Sequence, residues 1–199
     1  MVAASLALTG CGSSSDADTA GAAGTAGAAG GAGAGGAAPL PWSKSAVPAR
    51  PQDDVLRVHH LQAKGTHNSY HVETPGNNQA EWHYSMPPLD QQLGELGMRQ
   101  LELDLHLKSL DDDFEIHHLT LIDQGTTCKT LRECLTVIGT WSGAHPGHHP
   151  LYIQLEPKSG LGTFDPEAYF AKLEGEILSV LVRDRILTPD EVLQGPEGW

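Results

Sequence analysis

His67 and Asn68 stand side by side in the segment KGTHNSYH (residues 64–71), and Glu102 and Asp104 lie two apart in QLELDLHL (100–107). His117 and His118 form a doublet, and Glu156 closes the apolar run LYIQLE (151–156) just ahead of Lys158. One Asn carbonyl with three carboxylates is an all-oxygen ligand set, suited to a hard cation such as Ca²⁺, with Mg²⁺ second. Imidazoles beside such a set can move protons near neutral pH or stabilise developing charge. Each piece also has a plainer meaning. Asn and Ser favour turns because their side chains bond local backbone, and the charged face of a half-exposed strand ordinarily meets water. The decision rests on whether the chain brings the ends of these segments together.

Strand patterns run over Val58–Thr66, Gln100–Leu107, Phe114–His118 and Leu151–Glu156, and helical patterns over Pro88–Leu96, Thr130–Trp141 and Pro166–Val182. The last helix has the clearest start, with Asp165 as N-cap and Pro166 at the first helical position. Strands alternating with helices predict a parallel sheet with helices outside it. Only KSLDDD (108–113) separates the second and third strands, too little for a crossover helix. In QLELDLHL the leucines at 101, 103, 105 and 107 share one face, and Glu102, Asp104 and His106 the other. In a barrel strand the leucines pack outward under helices and the polar row points inward, where two unpaired carboxylates are costly and a cation relieves both. Parallel barrel strands converge at their C-terminal ends, so the first four would deliver the chemical residues to one mouth. If the third strand keeps its alternation, Ile116 and His118 share a face and only one imidazole of the doublet looks into that mouth.

The 199 residues are not all of one kind. Residues 21–38 are almost wholly Gly and Ala, which cannot bury enough apolar surface to order themselves and read as a linker. Residues 1–18 are expected to be an export and anchor segment, 19–54 a Gly/Ala-rich and then Pro-rich linker, and 55–199 the globular part. The apolar run near the start is too short to span a membrane. It ends in Leu8-Thr9-Gly10-Cys11, which resembles a bacterial lipobox and implies a lipid anchor on Cys11, hence an exported envelope lipoprotein or secreted protein. An ordinary secretory segment with a chance cysteine is the other reading. Removing Asp16 and Asp18 leaves 23 acidic against 12 basic residues, a balance that disfavours nucleic acid as a partner. Cys128 and Cys134 remain as an even pair, expected to bridge in an oxidising compartment.

GTHNSYH, RQLELDLHL, IHHLTLIDQGTTC and LYIQLEPK together resemble the catalytic X-region of phosphoinositide-specific phospholipase C, closest to its Ca²⁺-dependent bacterial branch, over about residues 57–199. The resemblance implies a distorted TIM-type (β/α) barrel whose second and third strands are joined without a helix. It implies His67 as a first catalytic histidine and Asn68, Glu102, Asp104 and Glu156 as Ca²⁺ ligands, with Glu102 also a candidate base. The second catalytic histidine falls on the doublet, and the resemblance favours His118, because the family's histidine sits five residues before an Asp and Asp123 is at that distance. The implied reaction cleaves phosphatidylinositol-type lipids to diacylglycerol and inositol phosphate through attack of the inositol 2-hydroxyl. The partner is then a phospholipid at a membrane surface, met by a monomer. A complete barrel takes roughly 250 residues, and 145 follow Asp54, so the chain is expected to be the first half of such a barrel within a longer gene product.

A glycerophosphodiester phosphodiesterase has a similar layout, but its early motif carries Arg-Gly after the His where this chain has Asn-Ser. A non-catalytic surface lipoprotein domain is the third class. HPGHH (145–149) carries metal-type residues and is read as a turn between helix and strand; LDDDF (110–114) is read as a solvated turn. Trp82, Tyr84 and Met86 serve lipid contact or core packing, and Lys158 a phosphate or plain solvent.

Overall fold

The structure, a computed structural model, describes the backbone of residues 4–8 together with residues 55, 60–76 and 78–188. Cys11 and the linker expected over 19–54 lie outside the described residues. β2 (Gln100–His106) and β4 (Leu151–Pro157) run parallel, side by side. The register sets Leu101 beside Ile153, Leu103 beside Leu155 and Asp104 beside Glu156. Parallel neighbours need a crossover, and α2 (Leu131–Ala144) lies on that path. Two further strands, β3 (Glu115–Ile116) and β5 (Ile186–Leu187), and the segment β1 (Ala4–Leu8) complete a sheet of order β3-β2-β4-β1-β5. β1 runs antiparallel to both β4 and β5. The described residues form a mixed α/β fold and no closed barrel.

The alternation in β2 behaves as its composition dictates. Leu101, Leu103 and Leu105 are fully buried and join a core with Leu131, Leu135 and Ile138 of α2 and with Tyr169 and Leu173 of α3 (Pro166–Val180). Each such leucine contributes on the order of 2 kcal/mol by leaving water. Glu102, Asp104 and His106 are buried as well, so the polar row faces the interior of the molecule and not solvent. α3 starts as expected, with Asp165 Oδ1 accepting from the Ala168 N–H at 3.0 Å. Thr130 caps α2, its hydroxyl accepting from Glu133 N–H at 3.2 Å. The short α1 (Leu89–Gly94) stops before Gly97, whose φ of 64° is a left-handed exit that glycine takes without strain.

Two expected strands are corrected. The first, over Val58–Thr66, is reduced among the described residues to one parallel bridge, Gly65 to Gln100. The chain follows β2 briefly, with Thr66 N–H donating to Gln100 O and Ser69 N–H to Glu102 O. It then turns, because Ser69 Oγ bonds back to Thr66 O and His71 N–H to Asn68 O. The third strand, expected over Phe114–His118, keeps only Glu115–Ile116 and is antiparallel to β2, with Leu105 opposite Ile116. Six connecting residues permit a reversal but no crossover. His117 and His118 therefore follow the strand and do not belong to it.

Candidate active site

Three elements meet at the acidic row. β2 carries Glu102 and Asp104, β4 carries Glu156, and the turn after Gly65 carries His67 and Asn68. One oxygen from each of Glu102, Asp104 and Glu156 lies within 4.8 Å of the other two. Asn68 sits in the left-handed region, φ 49°, a conformation that Asn tolerates better than most residues. Its backbone N–H donates to Glu102 Oε2 at 2.9 Å, and its side-chain oxygen accepts from the Tyr70 hydroxyl at 3.1 Å. His67 Nε2 lies 3.4 Å from the same Glu102 oxygen, with its side chain mostly in solvent. Beneath the turn, the fully buried Gln92 accepts from Thr66 Oγ1 and donates to the carbonyls of Ser69 and Pro87. The turn is thus braced from α1.

Burial pushes the Asp104 carboxyl above its ordinary range, with the Tyr70 hydroxyl and the Lys158 charge pulling partly back. Burial also raises Glu102, and the Asp104 charge adds to it. For Glu156 burial works upward, but the hydrogen bond and charge of Lys158 outweigh it and hold the carboxyl low. Lys158 Nζ stands 3.0 Å from Glu156 Oε1 and 3.3 Å from Asp104 Oδ2. Neither Asp104 oxygen has an aligned hydrogen-bond donor, although both are buried. Buried and mutually repelling carboxylates are what a hard cation relieves, and the Lys158 ammonium already stands against this cluster. Glu102, Asp104 and Glu156 fit a hard cation by donor chemistry, and the adjoining turn carries a further oxygen donor of that kind in Asn68.

The histidines of the doublet face different surroundings. His118 Nδ1 lies 2.8 Å from Asp123 Oδ2, and its ring meets the edge of Trp82 at 5.2 Å. Its side chain keeps 16% of its surface in contact with solvent, so the ring is reachable. His117 stacks flat on His106 at 3.8 Å and bonds Thr120 Oγ1 at 3.0 Å. Burial, with the His106 charge second, takes its imidazole down to about 4. Asp123 also accepts from Thr74 Oγ1 on its other oxygen. Burial works against its charge, yet the bonds from His118 and His71 hold the carboxyl below its ordinary value.

The segment that follows Asp123 is tied to the segment that carries His71. Val72 N–H donates to Gly125 O and Thr127 N–H to Tyr70 O. A Cβ on Gly125 would run into the Val72 carbonyl, so only glycine permits that approach. Cys128 and Cys134 are bridged, as expected. Sequence reasoning missed Tyr70, His71 and the pairing of Lys158. HNSYH held His71 in view but gave no sign of its partner, 52 residues away. Trp82 and Tyr84 pack on His118 and His71. HPGHH forms the turn after α2, where His145 Nδ1 donates to Trp141 O and His148 Nε2 lies 2.6 Å from Ser142 Oγ.

The described residues thus form an acidic centre flanked by histidine. Residues 110–197 match the family model described as Ca²⁺-dependent phosphoinositide phospholipase C, so the chain carries a region related to that family. The matched stretch contains His118, Asp123, the disulfide, Glu156 and Lys158; His67, Asn68, Glu102 and Asp104 precede it. No curated protein and no solved structure matches the chain.

Proposed function

We propose that this chain is a Ca²⁺-dependent phosphodiesterase acting on phosphatidylinositol-type lipids and releasing diacylglycerol. The observation that carries the proposal is the cluster of three carboxylates, with Asp104 buried, neither of its oxygens in an aligned hydrogen bond and Lys158 paired against it, flanked by His67 on one side. Asn68, Glu102, Asp104 and Glu156 would hold the cation, Ca²⁺ before Mg²⁺. Bound there, it supplies neutralisation of the phosphoryl charge. Glu102 takes the proton of the inositol 2-hydroxyl as that oxygen forms a bond to phosphorus. The bond from phosphorus to the glycerol oxygen breaks, and His118, held by Asp123, gives that oxygen its proton. His67 supports the charge on the phosphoryl oxygens. The first water-soluble product is a cyclic inositol phosphate.

The partner is a phospholipid surface. Leu121 is 87% exposed and Ile122 57% exposed, at the tip of a turn closed by the paired backbones of Leu119 and Asp123. Two apolar side chains held in water next to His118 suit contact with lipid. Export, an anchor on Cys11 and a monomeric state complete the proposal.

Incubating the full chain with phosphatidylinositol vesicles and Ca²⁺, and following products by phosphorus NMR, tests the reaction. Cyclic inositol phosphate is expected. Glycerol phosphate from glycerophosphodiesters favours the second enzyme class, and no turnover of either substrate favours a binding domain. Calorimetry tests the cation: Ca²⁺ should bind the wild type and fail to bind Asp104→Asn, whereas equal binding refutes the ligand set.

A further inference from the structure

His71 is one of the most completely enclosed side chains in the molecule, with no solvent contact. Its Nε2 lies 2.9 Å from Asp123 Oδ2, the same oxygen that His118 Nδ1 approaches at 2.8 Å. The two imidazole rings meet edge-on at 6.3 Å. His71 Nδ1 is buried and has no hydrogen-bond partner, and the Tyr84 ring covers it at 4.4 Å. That asymmetry fixes the tautomer. A proton on Nδ1 would be a buried donor without an acceptor, its lost hydration uncompensated, whereas a proton on Nε2 meets a carboxylate.

We infer that His71, donating from Nε2, is a positioning residue for the reaction proposed above, acting on His118 through Asp123. Asp123 then receives three donors: His71 and His118 on Oδ2, and Thr74 on Oδ1. With its plane fixed by His71 and Thr74, the carboxylate can accept the His118 Nδ1–H in one orientation only. The opposite nitrogen of His118, Nε2, is thereby left to face the leaving oxygen. The backbone keeps this arrangement in register, because His71 pairs with Thr126, three residues beyond Asp123.

The inference rests on the phospholipase reading for its kinetic arm and stands apart from it in its spectroscopic arm. Two variants of the full chain separate donor from shape. His71→Phe keeps the ring and loses only the Nε2 donor, since Nδ1 has no partner to lose. His71→Gln puts an amide N–H near the position of Nε2. In His71→Phe, kcat on phosphatidylinositol vesicles should fall by about 10–100-fold with KM little changed, as expected for a misaligned proton donor. His71→Gln should recover most of that loss. Equal losses in both variants, or wild-type kcat in His71→Phe, overturn the inference.

Nitrogen-15 NMR reads the same coupling without turnover. The His118 Nδ1–H proton should be protected from solvent exchange in the wild type and in His71→Gln, and should exchange at least about tenfold faster in His71→Phe, as an unlocked hydrogen bond opens more often. Unchanged protection in His71→Phe refutes the inference whatever the kinetics. A wild type that shows the protected proton, loses it in His71→Phe and does not cleave phosphatidylinositol supports the positioning role and refutes the substrate.

Discussion

Replacing His117 by Gln should flatten the acid side of the stability profile while leaving the chemistry in place. His117 is buried against His106, and burial holds its imidazole at about 4, against about 6.5 in an unfolded chain. The folded pKa is the lower one, so the unfolded chain binds more protons between the two values. The contribution is therefore fully present above about pH 6.5 and is lost as the pH falls toward 4. Near pH 4.5 the linkage amounts to roughly 2–3 kcal/mol, a large part of the ~5–15 kcal/mol that holds a domain folded. Glu102 and Asp104 act in the opposite sense. Their carboxyls are raised by burial, so they favour the folded state at low pH and lose that contribution as the pH rises. Both are common to the two proteins and cancel in the comparison. Urea unfolding of wild type and His117→Gln, at about pH 7 and about pH 4.5, should show the wild type losing ~2–3 kcal/mol more on acidification. Parallel losses would refute the burial argument. Phosphatidylinositol turnover separates the doublet: His118→Ala should lower it by about 10²–10⁴-fold, and His117→Ala should leave the folded protein active at pH 7. The reverse pattern would sink the assignment of His118.

Lys158 stands against two carboxylates that a cation would use, so Lys158→Gln should tighten calorimetric Ca²⁺ binding by roughly fivefold, the equivalent of a ~1 kcal/mol ion pair; weaker binding would mean that the ammonium helps build the site. Leu121→Asp should reduce sedimentation with phosphatidylinositol vesicles, and cleavage of vesicle-borne lipid with it, while sparing a soluble short-chain substrate; equal loss on both would count against a lipid contact. Replacing both Cys128 and Cys134 by Ala should lower stability by about 2 kcal/mol, the entropy of a short closed loop, measured by urea unfolding; no change would show that packing of the segment suffices.

The parts of this fold that were legible in sequence are those governed by one local rule. The leucine and acid alternation of Gln100–His106 needs only the period of a strand, and both faces lie as that period requires. Asp165 followed by Pro166 marks a helix start whatever surrounds it. The bridge between Cys128 and Cys134 spans six positions in sequence. What stayed hidden depends on partners far along the chain. The stretch Val58–Thr66 looks like a strand until Gln92 and Ser69 offer its backbone and hydroxyls a turn instead. The direction of β3 follows from a connector whose shortness was evident, but its early end at Ile116 reflects bonds to Lys129 and Thr130 across a loop. Asp123 could be found by its distance from His118; nothing in the sequence joins it to His71.

β2 divides two chemistries that cannot trade places, and this sets where the chain tolerates a change of length. A single residue inserted within Gln100–His106 would turn Glu102 and Asp104 under the helices and send leucines into the acidic centre, since each side chain changes face with a one-residue slip. Neither error can be absorbed locally, because both faces are buried. The connector at 108–113 has no such obligation: Asp111, Asp112 and Asp113 are exposed, and Asp113 pairs with Arg132 and Lys172 while itself half in solvent. Natural variants of this chain should therefore differ in length at the connector and never inside the strand. A library of one-residue insertions scanned for folded protein would draw that border at Leu107.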